Sequence, residues 1–247
     1  MATDTPAAAA LQEELLRRAR SRAARPAAAP SGVPDGPAPL SHAQRRMWLM
    51  DRLGRGHASY SVPFATRLRG PLDLDALAAA LTSLVRRHEI LRTRYGQHDG
   101  EPYQEVLPAP EAIALRVVDT DADGAGALLA EEARRPFDLA AGPLPRALVL
   151  RHGAQDHTVL LTFHHIAIDG ASLETVAGEL ARLYSAAARG TAAEEQPEPA
   201  QYADFARREQ AAADRLEQGL SHWADRLEGV SPLRLPRPAH PPADTGR

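Results

Sequence analysis

The sequence predicts an α/β fold of the α+β kind, a mixed β-sheet flanked by helices. Three observations carry that prediction. Apolar residues recur at helical spacing in several separate stretches of the chain. Between those stretches lie short runs that are continuously apolar or alternate apolar with polar, as strands do. Two pairs of such runs flank turn signals, Gln97-His98-Asp99-Gly100 and Gly153-Ala154-Gln155-Asp156. Hairpins at those turns are foreign to a purely parallel sheet.

Composition narrows the class. The chain has 247 residues, of which 44% are hydrophobic and 25% charged, with a formal net charge of −3. That balance suits a globular protein with a sizeable core and excludes disorder throughout. The slightly acidic charge argues against a general nucleic-acid binder. No apolar run approaches the roughly 18 residues of a membrane span. No apolar leader opens the chain, so a cytoplasmic location is expected. Cysteine is absent, which removes disulfides, thiol nucleophiles and thiolate metal sites. All 29 basic residues are Arg, so Schiff-base lysine mechanisms are excluded as well.

The elements follow in order. Residues 7–22 predict a helix with Leu11, Leu15 and Leu16 on one side and Arg17, Arg18, Arg20 and Arg22 around the other. It reads either as a solubilising leader or as a docking helix for a partner chain. Residues 26–39 are rich in Pro, Ala and Gly without periodicity, which makes 1–39 a helix and linker ahead of the globular part. Ser41 is a good N-cap for a helix carrying Ala43, Met47, Met50 and Leu53 at helical spacing. Residues 61–69 read as a strand. Asp73 caps a second helix, with Leu77, Leu81, Leu84 and Val85 on one stripe, running to about His88.

A hairpin is expected from 91–95 and 102–107, a further strand over 113–118 and a helix over 125–135. A second hairpin pairs 144–151 with 158–163. Helices follow over about 173–189 and, with an interruption, 202–227. The tail 231–247 holds five prolines and no periodicity.

The chemistry is concentrated at the end of the run 158–163, which delivers His164 and His165 and then Asp169 and Gly170. Successive strand side chains point to opposite faces, so the two histidines cannot share one job. One faces a cleft, and the other packs behind it. Histidine is the natural group for moving a proton near neutral pH. Asp169 has three readings: it orients an imidazole, caps the following helix, or pairs with an Arg. No third ligand lies at a spacing that would suit a metal.

These residues carry a resemblance. His164-His165, Asp169 and Gly170 resemble the HHxxxDG motif of the condensation domains of nonribosomal peptide synthetases, in the chloramphenicol-acetyltransferase-like superfamily. Ser41, Ala43, Gln44, Arg46 and Trp48 are similar to the family's opening SxAQxRxW helix. Arg87-His88-Glu89, Leu91, Arg92 and Thr93 resemble its RHExLRT motif. Tyr202, Asp204, Phe205 and Ala206 resemble its YxDFA segment, and the tail around Leu233–Pro238 resembles a worn LxLPxDRPRP stretch.

The resemblance covers roughly 40–238 and implies the N-terminal lobe of a two-lobed domain, with 239–247 leading toward the second lobe. Segments of that second lobe have no counterpart in these 247 residues. The motif is followed by Ala171-Ser172-Leu173 rather than the run typical of epimerization domains, and the paired aspartates of heterocyclization domains are absent.

What the resemblance implies is amide formation between two acyl groups held as thioesters on partner carrier proteins. His165 would act as base or as a donor that orients the acceptor amine. Asp169 would stabilise the loop by pairing with an Arg, for which Arg92 is the candidate, with Arg87 as further support. Gly170 would allow close approach to the tunnel between lobes, or serve only the turn. No cofactor of its own is implied, because the phosphopantetheine arms arrive on donor and acceptor carrier proteins. The adjoining C-terminal lobe is the third implied partner. Two other readings stay open: a free-standing acyltransferase of the same superfamily, and a non-catalytic platform that docks carrier proteins.

Overall fold

The computed structural model describes residues 36–54 and 59–231. The expected helix over 7–22, most of the linker and the tail 232–247 lie outside the described residues. The chain divides into two compact units, Met1–Gln210 and Ala211–Arg247, and the sheets belong wholly to the first.

Among the described residues seven strands form two sheets, where the sequence predicts one. The four-stranded sheet has the order β2 (Ser61–Arg69), β7 (Asp156–His164), β6 (Pro145–Gly153), β5 (Leu115–Asp119). It is mixed as expected: β2, β7 and β6 are antiparallel neighbours, and β5 runs parallel to β6. A parallel pair needs a crossover, and helix α3 (Ala122–Arg134) supplies it. The smaller sheet is antiparallel, in the order β1 (Ala38–Pro39), β4 (Glu101–Val106), β3 (Thr93–His98). Strand β1 is thus the last part of the expected linker, drawn in by pairing with β4. The β3–β4 turn needs positive φ at Asp99 (48°) and Gly100 (86°), which is why an Asp-Gly pair stands there.

The central strands explain their sequence. On β6 and β7, Val149, Val159, Leu161 and Phe163 enter the main core with Leu77, Leu81, Leu84 and Val85 of helix α2 (Leu74–Arg87) and Val176 of helix α4 (Gly170–Ala188). The alternate residues Leu148, Leu150 and Leu160 pack with Leu128 and Leu129 of α3 on the other face. With both faces covered, a near-continuous apolar run is what such strands require. Burial of this kind stabilises by roughly 1.5–3 kcal/mol per large side chain.

Helix α1 (His42–Arg52) begins in a capping box: the Ser41 hydroxyl accepts the Gln44 N–H at 3.1 Å, and Gln44 Oε1 accepts the Ser41 N–H at 3.0 Å. The same Gln44 amide donates to the Tyr95 hydroxyl at 3.1 Å and to Gln104 Oε1 at 3.3 Å, and Gln104 donates on to the Pro39 carbonyl at 2.8 Å. Burial pushes the Tyr95 phenol well above its usual range, so it stays a neutral hydroxyl. Ser41 and Gln44 therefore tie α1 to the three-stranded sheet. Helix α5 (Tyr202–Ala211) joins the same corner, with the Tyr202 hydroxyl 3.0 Å from Ser41 Oγ.

In the second unit, helix α6 (Ala213–Leu227) carries Leu220, Trp223 and Leu227 at helical spacing, each more than half exposed. Among the described residues no helix is long and apolar enough to cross a membrane.

Candidate active site

The buried strand β7 ends at His164, and the chain turns at once. The Ala167 N–H donates to the His164 carbonyl at 2.9 Å, and the Ile166 N–H donates to His164 Nδ1 at 3.0 Å. Ile166, Ala167 and Ile168 are all buried, so the turn is anchored in the core by three apolar side chains.

His164 is 1% exposed. Its ring lies 5.9 Å from that of Phe137, nearly perpendicular at 84°, and 6.0 Å from that of Tyr60. Because Nδ1 accepts a hydrogen bond, the neutral ring carries its proton on Nε2. Burial, and then the neighbouring charge of His165, push its pKa down to about 4, so the ring is neutral at physiological pH.

His165 stands in a different environment. Its backbone N–H donates to the Tyr60 carbonyl at 2.8 Å, which ties the turn to the start of β2. Its side chain is only partly buried, and Nδ1 has no hydrogen-bond partner among the described residues. That nitrogen is itself sealed from solvent, so a substrate meets the partly exposed ring at its Nε2 side.

Asp169 and Gly170 open α4. Asp169 is exposed, and its Oδ1 accepts the Ser172 N–H at 2.9 Å and the Ser172 hydroxyl at 2.6 Å. The Asp169 N–H in turn reaches Ser172 Oγ at 3.4 Å, closing a capping box. The Ser172 hydroxyl, then its N–H, hold the carboxyl below the usual range, with a smaller contribution from His165. Gly170 begins the helix, and nothing lies within 4 Å of where a Cβ would sit. Its backbone is open to approach.

The expected pairing of Asp169 with Arg92 is not formed. Arg92 donates to Glu89 Oε1 at 3.2 Å and to the Leu107 carbonyl, which turns its guanidinium toward the end of β4. Asp169 instead meets the orphan N–H groups of its own helix, the nearest donors to an exposed cap. Arg87 is neither free nor near Asp169's cap: it lies 3.5 Å from Glu179 of α4 and donates to the carbonyls of Gln196 and Pro197. His88 also reaches Glu179, at 2.9 Å. The structure thus brings His164, His165, Asp169 and Gly170 together and places Arg87 and Arg92 in separate structural contacts.

Three contributors escape a reading of the sequence. Tyr60 holds the His165 backbone, Phe137 packs on His164, and Ser172 completes the cap. Only Ser172 had a local signal, the spacing of a capping box.

Comparison with known proteins places the chain. The condensation-domain family model matches residues 35–246, and the chain belongs to that family. It is 40% identical over 248 aligned residues to a phosphinothricin tripeptide synthetase of Streptomyces viridochromogenes, covering 95% of this chain and 23% of that protein. It is 42% identical over 214 residues to a linear gramicidin synthase polypeptide of Brevibacillus parabrevis, covering 81% of this chain and 4% of that one. Among solved structures it resembles the X-domain from teicoplanin biosynthesis, with a TM-score of 0.74 and 31% identity over 85% of this chain and 49% of that one. The chain therefore spans under a quarter of these curated relatives and about half of that solved domain.

Proposed function

We propose that this chain supplies the histidine-bearing lobe of a condensation site that forms an amide between two carrier-bound thioesters. The observation that carries the reading is the contrast between the histidines: His164 is sealed and neutral, while His165, held at the turn by its backbone N–H, keeps a ring that is only partly buried. The names of the relatives, peptide synthetases of bacteria, support the substrate class.

In the reaction the acceptor amine attacks the donor thioester carbon. A C–N bond forms, the C–S bond breaks, and the sulfur leaves on the donor's pantetheine arm. His165 takes or orients the proton that the amine must lose, and that proton returns to the leaving thiolate. Asp169 holds the first turn of α4 so that Gly170 presents open backbone beside His165. The chain supplies no cofactor; the arms come on donor and acceptor carrier proteins, and the C-terminal lobe of the domain closes the site.

One observation favours a second reading. A related X-domain, 30% identical to this chain, has been solved in complex with OxyB, and docking alone is a use to which this fold lends itself. The test is to load two carrier proteins, one with an acyl group and one with an aminoacyl group, and mix them with the complete condensation domain. Mass spectrometry of the acceptor carrier should show the joined product. Binding of both carriers without any joined product would favour docking.

A further inference from the structure

Behind the histidine pair, on the α3 face of the four-stranded sheet, a column of charge and rings has no part in the chemistry above. It starts at Glu132 of α3, which is 3% exposed. Glu132 Oε1 accepts from Arg146 Nε at 2.6 Å, and Arg116 and Arg135 reach Oε2 at 3.4 and 3.6 Å. The Arg146 guanidinium also donates to the carbonyls of Glu132, Arg135 and Pro136 at 3.1, 2.7 and 3.2 Å, which fixes its plane.

That plane is used. The guanidinium carbon lies 3.8 Å from the centroid of the Phe137 ring, and Phe137 meets the His164 imidazole nearly at right angles. Strand register agrees: Arg146 pairs with Thr162, two residues before His164, so both side chains project from one face. A buried ion pair is a poor way to gain stability, since apolar residues of similar volume fill such a face at less cost. Its value lies in geometry. Here the charge pair clamps a ring, and the ring backs an imidazole.

We infer that Glu132, Arg146 and Phe137 are positioning residues for the transfer: they fix the orientation of His164, and His164 fixes the turn that presents His165. The inference rests on the reading of His165 as the acting group. The joint is the Ile166 N–H on His164 Nδ1. It exists only while that nitrogen keeps its lone pair and the ring keeps its orientation. A ring flipped about its χ2 presents a C–H instead and frees the turn directly after His165.

Two measurements test this on Phe137→Leu and Arg146→Met. The first is amide exchange at Ile166 together with nitrogen spectra of the imidazoles, in the 247-residue chain. The second is single-turnover amide formation in the complete domain. Both variants should lose Ile166 protection about tenfold or more, shift the His165 ring signals, and slow transfer about 10–100-fold with carrier binding unchanged. Arg151→Gln, on the same strand as Arg146, loses a surface pair with Asp119 of β5 and should change none of these. If Phe137→Leu does not fold, Glu132→Gln replaces it with the same losses expected.

Folded variants with wild-type protection and rate would overturn the inference. Lost protection with an unchanged rate would overturn its catalytic half. A wild-type rate in His165→Ala would instead sink the reading of His165. The exchange data would still decide whether the column holds the turn.

Discussion

The carboxylate of Asp169 is satisfied by Ser172, three residues on, and by no arginine among the described residues: one oxygen takes both the Ser172 N–H and its hydroxyl. The aspartate of the motif is therefore a helix cap on an exposed turn. Replacing it with Ala should cost about 1 kcal/mol, and Asp169→Asn only a few tenths, because Asn caps nearly as well. Urea melts of the two variants check this. Since the folded carboxyl is held below its usual range, the cap's contribution is complete above about pH 4 and lost as pH falls further.

His164 makes an acid-side prediction of its own. Its folded pKa of about 4 lies below the ordinary value of 6.5. Between those values the unfolded chain binds a proton that the folded chain refuses. Stability is thus unaffected by this group above about pH 6.5 and declines as pH falls toward 4, by up to about 3 kcal/mol. A His164→Gln variant should lose stability at pH 7 and lose part of that acid dependence as well. Denaturant midpoints at pH 7.5 and 4.5 give both numbers.

Arg92 and Asp169 share no partner, so their effects on stability should add. A double-mutant cycle with Asp169→Ala and Arg92→Ala should show coupling below about 0.5 kcal/mol. Coupling of about 2 kcal/mol or more, on the order of a buried ion pair, would restore the pairing that the family resemblance implies.

Gln44 sits at the centre of a buried network with Ser41, Tyr95 and Gln104. Gln44→Ala leaves the Tyr95 hydroxyl and the Gln104 amide short of partners in the core. The expected cost is about 2–4 kcal/mol, read from thermal or chemical melts. No effect on carrier-protein binding is expected beyond that of lost stability.

Much of this was legible from residue patterns. The strand at Ser61–Arg69, both hairpins and the Ser41 and Asp73 caps follow from turn chemistry and local hydrogen bonding, which act over a few residues. That one of the two histidines is buried was legible too, from strand alternation at the end of the apolar run, and the structure shows it to be His164. The division into two sheets was not, because nothing local tells β3 and β4 to pair with Ala38–Pro39 rather than with β2. Nor was the choice between cap and ion pair at Asp169, which turns on whether an arginine from another element reaches it. Phe137 and Arg146 reach His164 only through the sheet register, and that is a property of the whole fold.

The most direct test compares His165→Ala with His164→Ala in a complete two-lobed domain, by single-turnover transfer between two loaded carrier proteins. Carrier binding and the melting curve are followed separately. His165→Ala should keep its fold and its carriers and lose about 10²–10⁴-fold in rate, the usual loss of a positioned base or donor. His164→Ala should show its damage first in the melting curve, through a buried ring removed from contact with Phe137 and Tyr60. A wild-type rate in His165→Ala, or abolished transfer in a fully stable His164→Ala, would contradict the assignment.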